Sequence, residues 1–127
     1  MILPILFVAP SEKGGRGVFT SEAIKAGTVI EVSPVLVFTP SERKIIEQIF
    51  LFDYIFEWGN NRKKAALGLG YISMYNHDYD ANCEYEMDYD HNLMTLTTVR
   101  DIKKGEEVVI NYNAHPTDTT PIWFDAR

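Results

Sequence analysis

The sequence predicts a mainly β fold, a β-rich α+β chain of several small sheets with one or two short helices. Two observations carry this. Short runs rich in β-branched and aromatic residues recur, at Val18-Phe19, Thr28-Val29-Ile30-Glu31-Val32, residues 83–87, residues 93–99 and residues 106–112, and turn-forming residues separate them. Only one stretch, opened by Thr39-Pro40-Ser41-Glu42, carries a full helix-start signature: Thr39 as N-cap, Pro40 at the first helical position and Glu42 completing a capping box.

In chain order, the apolar opening Met1-Ile2-Leu3-Pro4-Ile5-Leu6-Phe7-Val8 lacks a basic flank and reaches Pro10 too early for a signal peptide or a membrane span, and reads as a first strand. Ser11-Glu12-Lys13-Gly14-Gly15-Arg16-Gly17 is a glycine-rich loop. It lacks the Lys-Ser/Thr ending of a phosphate loop, and no helix pattern follows it as in a dinucleotide fingerprint. Ile24-Lys25-Ala26-Gly27 is a turn feeding a strand, and the phrase returns as Ile102-Lys103-Lys104-Gly105 before Val108-Val109-Ile110. One recurrence is a reused device, not a solenoid. After the capped start, Ile45, Ile46, Ile49 and Phe50 predict one apolar helix face. Residues 62–67 predict a second short helix, ended by Gly68. Residues 71–75 form a short apolar run, read as a buried strand, which delivers Asn76-His77 into a polar loop closed by Asn82. Cys83, Tyr85 and Met87 alternate with Glu84 and Glu86 as a half-buried strand, Asp88-Tyr89-Asp90-His91-Asn92 is a hairpin loop, and residues 93–99 return.

Bulk properties bound the function. A chain of 127 residues fits one domain, 1–127, with residues 113–127 as an aromatic tail, and 46% hydrophobic residues argue against disorder. Twelve Lys and Arg against eighteen Asp and Glu, net −6, disfavour direct nucleic-acid binding and suit a basic protein partner. No membrane segment is expected. A single cysteine excludes a disulfide framework and a multi-cysteine zinc cluster, and fits a reducing, cytoplasmic setting, or a nucleus or host cell if the source demands it.

Candidate chemistry competes with plainer readings. Asp78-x-Asp80-x-Asn82 begins like a calcium loop, but Cys83 stands where glycine is needed and Tyr89 where the bidentate glutamate should be. A solvated acidic face, able to attract a cationic peptide, explains residues 78–90 better. Cys83 with His77 could be nucleophile and base, yet a lone cysteine inside a strand pattern is usually buried and inert. Asn76-His77 could grip a polar ligand or tie down a crossing backbone, since both side chains donate and accept.

Three motifs occur in order: Gly15-Arg16-Gly17-Val18-Phe19, then Asn76-His77…Asn82-Cys83, then Gly105-Glu106-Glu107-Val108-Val109-Ile110-Asn111-Tyr112. On these, spread over residues 14–124, the chain resembles the SET-domain lysine methyltransferases. Asp78, Ala81 and Asn111 depart from the family's serine, proline and aspartate, and no cysteine-rich flanks are present, as in minimal bacterial or viral members. The resemblance implies a β-clip fold with a knot-like C-terminal strand passing the Asn-His loop. It implies S-adenosylmethionine held by Gly15, Arg16 and Gly17, by Asn76 and His77, and covered by Trp123. It implies a protein or peptide substrate with an accessible lysine. By the same resemblance Tyr112 is the catalytic hydroxyl, Tyr85 narrows the lysine channel and Ile110 replaces a phenylalanine of trimethylating members, which together imply monomethylation. Tyr54 lines a pocket or simply the core.

The chemistry asks for such parts independently. A free lysine, with pKa near 10.4, is neutral in only about one molecule in 2,500 at pH 7. An apolar channel and a nearby sulfonium would lower that pKa, so no strong base is needed. The alternative from another class is a catalytically silent module that binds peptide. The aromatic run of residues 50–58 could also supply a homodimer contact.

Overall fold

The computed structural model describes residues 1–112. Nine strands form a curled sheet among them: β1 (Leu6–Pro10), β2 (Arg16–Thr20), β3 (Val29–Phe38), β4 (Ile55–Trp58), β5 (Lys64–Gly68), β6 (Asn76–His77), β7 (Cys83–Asp88), β8 (Leu93–Thr98) and β9 (Glu107–Ile110). The strand order is β1-β2-β9-β7-β8-β3-β5-β4, and β6 also pairs with β9. All pairings are antiparallel except those of β9 with β6 and β7.

The expected alternation makes the β7–β8 hairpin. Cys83 and Tyr85 turn inward, Glu84 and Glu86 outward, and the register runs from Cys83 opposite Thr98 to Asp88 opposite Leu93. The recurring turn phrase has a structural reason. Ile24 and Ile102 form an antiparallel bridge with each other, exchanging N–H···O bonds of 2.9 and 2.8 Å. The two copies of the phrase therefore brace one another, and both isoleucines are buried with Val18, Ile30, Ile72, Met94, Leu96 and Val108. Burying each such side chain stabilises by about 1.5–3 kcal/mol, so this cluster is the main apolar driving force.

The helix start is as expected. α1 (Pro40–Ile46) has the full capping box, with the Thr39 hydroxyl accepting the Glu42 N–H and the Glu42 carboxylate accepting the Thr39 N–H. Its apolar face is not. α1 stops after seven residues, so the spacing that would have put Ile45, Ile46, Ile49 and Phe50 on one stripe is never completed. Only Ile46 is buried, against Ile55 and Ala65, while Ile45 is 66% and Phe50 79% exposed. Phe50–Tyr54 is a 3-10 turn leading into β4.

Two further expectations are corrected. Residues 62–67 do not form a helix: Arg62 turns the chain with φ 58°, and Lys64–Gly68 is β5, paired to β3 and β4 on its two sides. Ala65 and Ala66 are fully buried there, so the small side chains serve close sheet packing rather than helix propensity. Residues 71–75 are not a strand either. Ile72–Met74 is a 3-10 turn, and the extended residues are Asn76 and His77 themselves, paired with Val109 and Ile110.

Candidate active site

Four segments converge on one cleft. Gly14, Gly15 and Arg16 come from the β1–β2 loop, Asp53 and Tyr54 from the 3-10 turn before β4, and Ser73, Met74, Tyr75 and Asn76 from the segment entering β6; Tyr112 follows β9. The sequence-predicted residues Gly15, Arg16, Tyr54, Asn76 and Tyr112 all line this cleft. Gly17, His77 and Tyr85 are not part of this lining, but each adjoins a residue that is: Gly17 lies against Asn76, and His77 and Tyr85 are bonded to Tyr112. Trp123 lies outside the described residues.

Side chains that bond to backbone hold the cleft's rear. The last described strand, β9, lies between β2 on one side and β6 and β7 on the other. Asn82, fully enclosed, clasps it: the Asn82 amide donates to the Glu107 carbonyl at 2.8 Å, and its oxygen accepts the Val109 N–H at 2.9 Å. Glu107 ties three segments, accepting the Ser11 hydroxyl at 2.7 Å and the Asn76 amide at 2.8 Å. Asn76 also donates to the Arg16 carbonyl at 3.2 Å. A Cβ at Gly17 would run into the ends of the Glu107 and Asn76 side chains, so a larger residue at this crossing would have to part their hydrogen bond. An ion pair of 2.6 Å, Lys13 to Asp78, joins the glycine loop to the Asn-His loop across the surface.

Tyr112 sits where these supports meet. Its N–H donates to His77 Nδ1 at 3.0 Å and its hydroxyl to the Tyr75 carbonyl at 2.9 Å, while the Tyr85 hydroxyl donates to the Tyr112 carbonyl at 3.0 Å. Phe56 completes an aromatic wall, 5.4 Å from the Tyr85 ring and edge-on to Tyr112 at 6.3 Å. Burial, with Tyr54 adding to it, pushes the Tyr112 hydroxyl well above the ordinary tyrosine range. At neutral pH it therefore stays protonated, a dipole that donates and accepts rather than a base.

Burial also pushes His77 below its usual value, with Lys13 adding and Asp78 opposing. Because Nδ1 accepts the Tyr112 N–H, the ring proton is on Nε2. That nitrogen is buried and has no hydrogen-bond partner among the described residues. A buried donor without a partner is costly. S-adenosylmethionine suits this donor set: the backbone of the glycine loop and the Arg16 cation would face its amino-acid end, and the Asn76-His77 segment its remainder.

Sequence reasoning missed several participants. Glu107 lay inside a motif that was recognised, but nothing marked its carboxylate as the tie between loops. Phe56 was one aromatic among many in residues 50–58. Asp53, Ser73, Met74 and Tyr75 are neighbours of residues that were singled out. The buried carboxyl of Glu31 gave no signal, since glutamate in a strand pattern ordinarily faces water.

The acidic run is less uniform than expected. Asp78 pairs with Lys13, Asp80 with Arg100 at 3.1 Å and Asp88 with His91 at 2.9 Å, which leaves Glu84 and Glu86 as the outward carboxylates of β7. No group of three or more potential metal ligands occurs among the described residues. Cys83 is fully buried and its thiol is pushed up to about 12 by desolvation, which makes it an inert core residue.

A curled sheet, a last strand clasped between neighbours and a tyrosine closing a glycine-lined cleft define the class. Residues 15–113 match the SET domain, and the chain belongs to that family. It is 39% identical over 121 residues to a histone-lysine N-methyltransferase of Schizosaccharomyces pombe described as H3 lysine-37 specific, a match spanning 94% of this chain and 77% of that protein. A crystal structure of a candidate histone methyltransferase from Plasmodium falciparum superimposes with TM-score 0.67 at 30% identity, over 87% of this chain and 95% of that one. The Polycomb Repressive Complex 2 of Chaetomium thermophilum, in a humanised form bound to an inhibitor, shares the fold with TM-score 0.69 at 22% identity, over 87% of this chain and 15% of that one. The chain is a protein-lysine methyltransferase.

Proposed function

We propose that the chain is an S-adenosylmethionine-dependent enzyme that adds a single methyl group to a lysine in a basic, histone H3-like segment. The observation that carries this is Tyr112, protonated, walled by aromatic rings and fixed by its N–H, its carbonyl and its hydroxyl at the back of a glycine-lined cleft. S-adenosylmethionine, held by the glycine loop and the Asn76-His77 segment, would supply an electrophilic methyl to a neutral lysine amine, with the thioether as leaving group and the amine proton lost to water.

The chain's own residues do the rest. Phe56, Tyr85 and Tyr112 exclude water from the amine and favour its uncharged form. The Tyr112 hydroxyl orients the amine lone pair and offers a fixed dipole to the charge that spreads in the transition state. The Asn76–Glu107–Ser11 ties hold the glycine loop against the cofactor end of the cleft. The Tyr85 hydroxyl, spent on the Tyr112 carbonyl, stiffens and narrows the channel, which leaves little room for an amine that already carries a methyl. Glu84 and Glu86 offer the exposed negative charge that a basic segment would meet. The S. pombe relative's printed specificity makes histone H3 the substrate to try first.

Calorimetry with S-adenosylmethionine on wild type and Asn76→Ala is the first test, followed by methylation of recombinant histone H3 with Tyr112→Phe as comparison. Wild type should bind and transfer, Asn76→Ala should bind at least about tenfold more weakly, and Tyr112→Phe should lose about 100-fold in rate, as for loss of a preorganised dipole. Absence of binding by folded protein would overturn the reading. Mass spectrometry dominated by trimethyl-lysine would overturn the monomethylation part alone.

A further inference from the structure

Glu31 is completely buried, and the reading of methyl transfer above makes no use of it. A carboxyl removed from water needs several partners. Glu31 has three. Its Oε1 accepts the Tyr75 hydroxyl at 2.6 Å, and its Oε2 accepts the Ser33 hydroxyl at 2.6 Å and the Tyr71 N–H at 2.9 Å. The chain is shaped around this group at two places. A register shift in β3 between Val29 and Glu31 lets both Ile30 and Glu31 be buried, which a regular strand beside one core would not. Gly70, at φ 75°, passes so close that a Cβ there would lie 2.6 Å from Glu31 Oε2 and 2.8 Å from Ser33 Oγ.

The carboxyl thus holds both ends of the 3-10 turn that forms one wall of the cleft, Tyr71 by its backbone and Tyr75 by its hydroxyl. The middle is fixed too, because the Ser73 hydroxyl accepts the Gly68 N–H at 2.9 Å. Tyr75 in turn presents its carbonyl to the Tyr112 hydroxyl at 2.9 Å. A continuous path runs from the buried carboxyl through the Tyr75 ring and backbone to the hydroxyl in the cleft. Every link is a short hydrogen bond or a rigid residue.

We propose that Glu31 and Tyr75 are positioning residues for methyl transfer: their buried hydrogen bond fixes the carbonyl that aims the Tyr112 hydroxyl. This rests on the reading of Tyr112 given above. The Tyr75 hydroxyl lies in the core against Glu31 while its carbonyl meets the Tyr112 hydroxyl, so its loss should fall more heavily on the rate of the chemical step than on affinity for the cofactor.

The test is single-turnover methylation of recombinant histone H3 with tritium-labelled S-adenosylmethionine, using wild type, Tyr75→Phe, Tyr112→Phe and the double variant, with calorimetric cofactor affinity for each. Tyr75→Phe should slow transfer about fivefold to tenfold, short of the roughly 100-fold that a 1 Å misplacement can cost, with a clearly smaller loss of cofactor affinity than of rate. In the Tyr112→Phe background the same change should cost less than about twofold, because the group it aims is gone. An unchanged rate in Tyr75→Phe would overturn the proposal. So would an equal loss in both backgrounds, which marks general loosening of the core. If Tyr75→Phe does not fold, Glu31→Gln, which keeps an acceptor for the Tyr71 N–H but turns an amide donor toward the Tyr75 hydroxyl and so removes the bond that hydroxyl donates, takes its place in the same comparison. A wild-type rate in Tyr112→Phe, or an inactive wild type, would remove the underlying reading and the proposal with it.

Discussion

Around β9 the chain is held by several polar side chains bonded to backbone and to one another, whereas around α1 it is held by a capping box, a few apolar contacts and one arginine, Arg43, which donates to the Arg62 carbonyl at 2.7 Å. In the first region Asn82, Glu107, Asn76 and His77 each bridge segments far apart in sequence. In the second, Ile46 packs on Ile55 and Ala65 with half-buried Phe38, Leu51 and Phe52 beside them, and Arg43 reaches Glu57 at the surface. Hydrogen bonds have fixed lengths and directions, and an orphaned partner is expensive. Apolar contact is non-directional and tolerates substitution of similar volume. The Tyr112 end of the cleft therefore sits on the rigid region, and the α1 corner reaches the cleft only through Asp53 and Tyr54 of its 3-10 turn.

The largest effect separating the two regions should come from Asn82→Ala. It would strand the Val109 N–H and the Glu107 carbonyl in a buried site, and urea denaturation should show a loss of about 3 kcal/mol. A loss below about 1 kcal/mol would mean that β9 is held by pairing with its neighbours and that the clasp is incidental.

A smaller effect should appear on acidification. Burial, helped by Lys13, holds His77 below its ordinary 6.5 in the folded state. The unfolded chain then takes up a proton at about pH 6.5 that the native ring refuses, so this contribution to stability is complete above that pH and is lost as pH falls toward the folded value. NMR titration of the His77 ring should give a midpoint under 6.5, and urea stability should decline from about pH 7.5 to about pH 5.5. A midpoint at or above 6.5 would show that the ring is not sealed behind Tyr112.

How far the sequence revealed this division follows from the same physics. Features written in local chemistry were legible: the Thr39–Glu42 capping box, the β7–β8 hairpin, and the glycine loop and Asn-His pair at the cleft. Features decided by tertiary partners were not. Lys64, Ala65, Ala66 and Leu67 are good helix formers, yet strands on both sides make them β5. The Tyr71–Tyr75 segment has a strand's composition, yet Glu31 and Gly70, distant from each other in sequence, bend it into a 3-10 turn. Glu107 and Glu31 look like surface carboxylates because their partners, Asn76 and Ser11 for one and Tyr75 for the other, lie 31 or more residues away.

The smallest effect is expected at the α1 corner, and it tests the other half of the comparison. Ile45 and Phe50 are 66% and 79% exposed, while Ile46 between them turns into the Ile55–Ala65 cluster. A double change, Ile45→Ser with Phe50→Ser, removes apolar surface that the fold does not bury, so stability should move by no more than about 0.5 kcal/mol. Methyl transfer to a short lysine peptide should fall by no more than about twofold, because neither side chain is itself part of the cleft lining and Phe50 touches it only through an edge-on contact with the Tyr54 ring at 6.4 Å. A loss above about 1 kcal/mol in urea would show that this face is covered in solution and that the corner is as tightly held as the β9 centre. Unchanged stability with slower methylation of whole histone H3, against an unchanged rate on the peptide, would instead make Ile45 and Phe50 a contact for the larger substrate and sharpen the separation between residues that do the chemistry and residues that meet the partner.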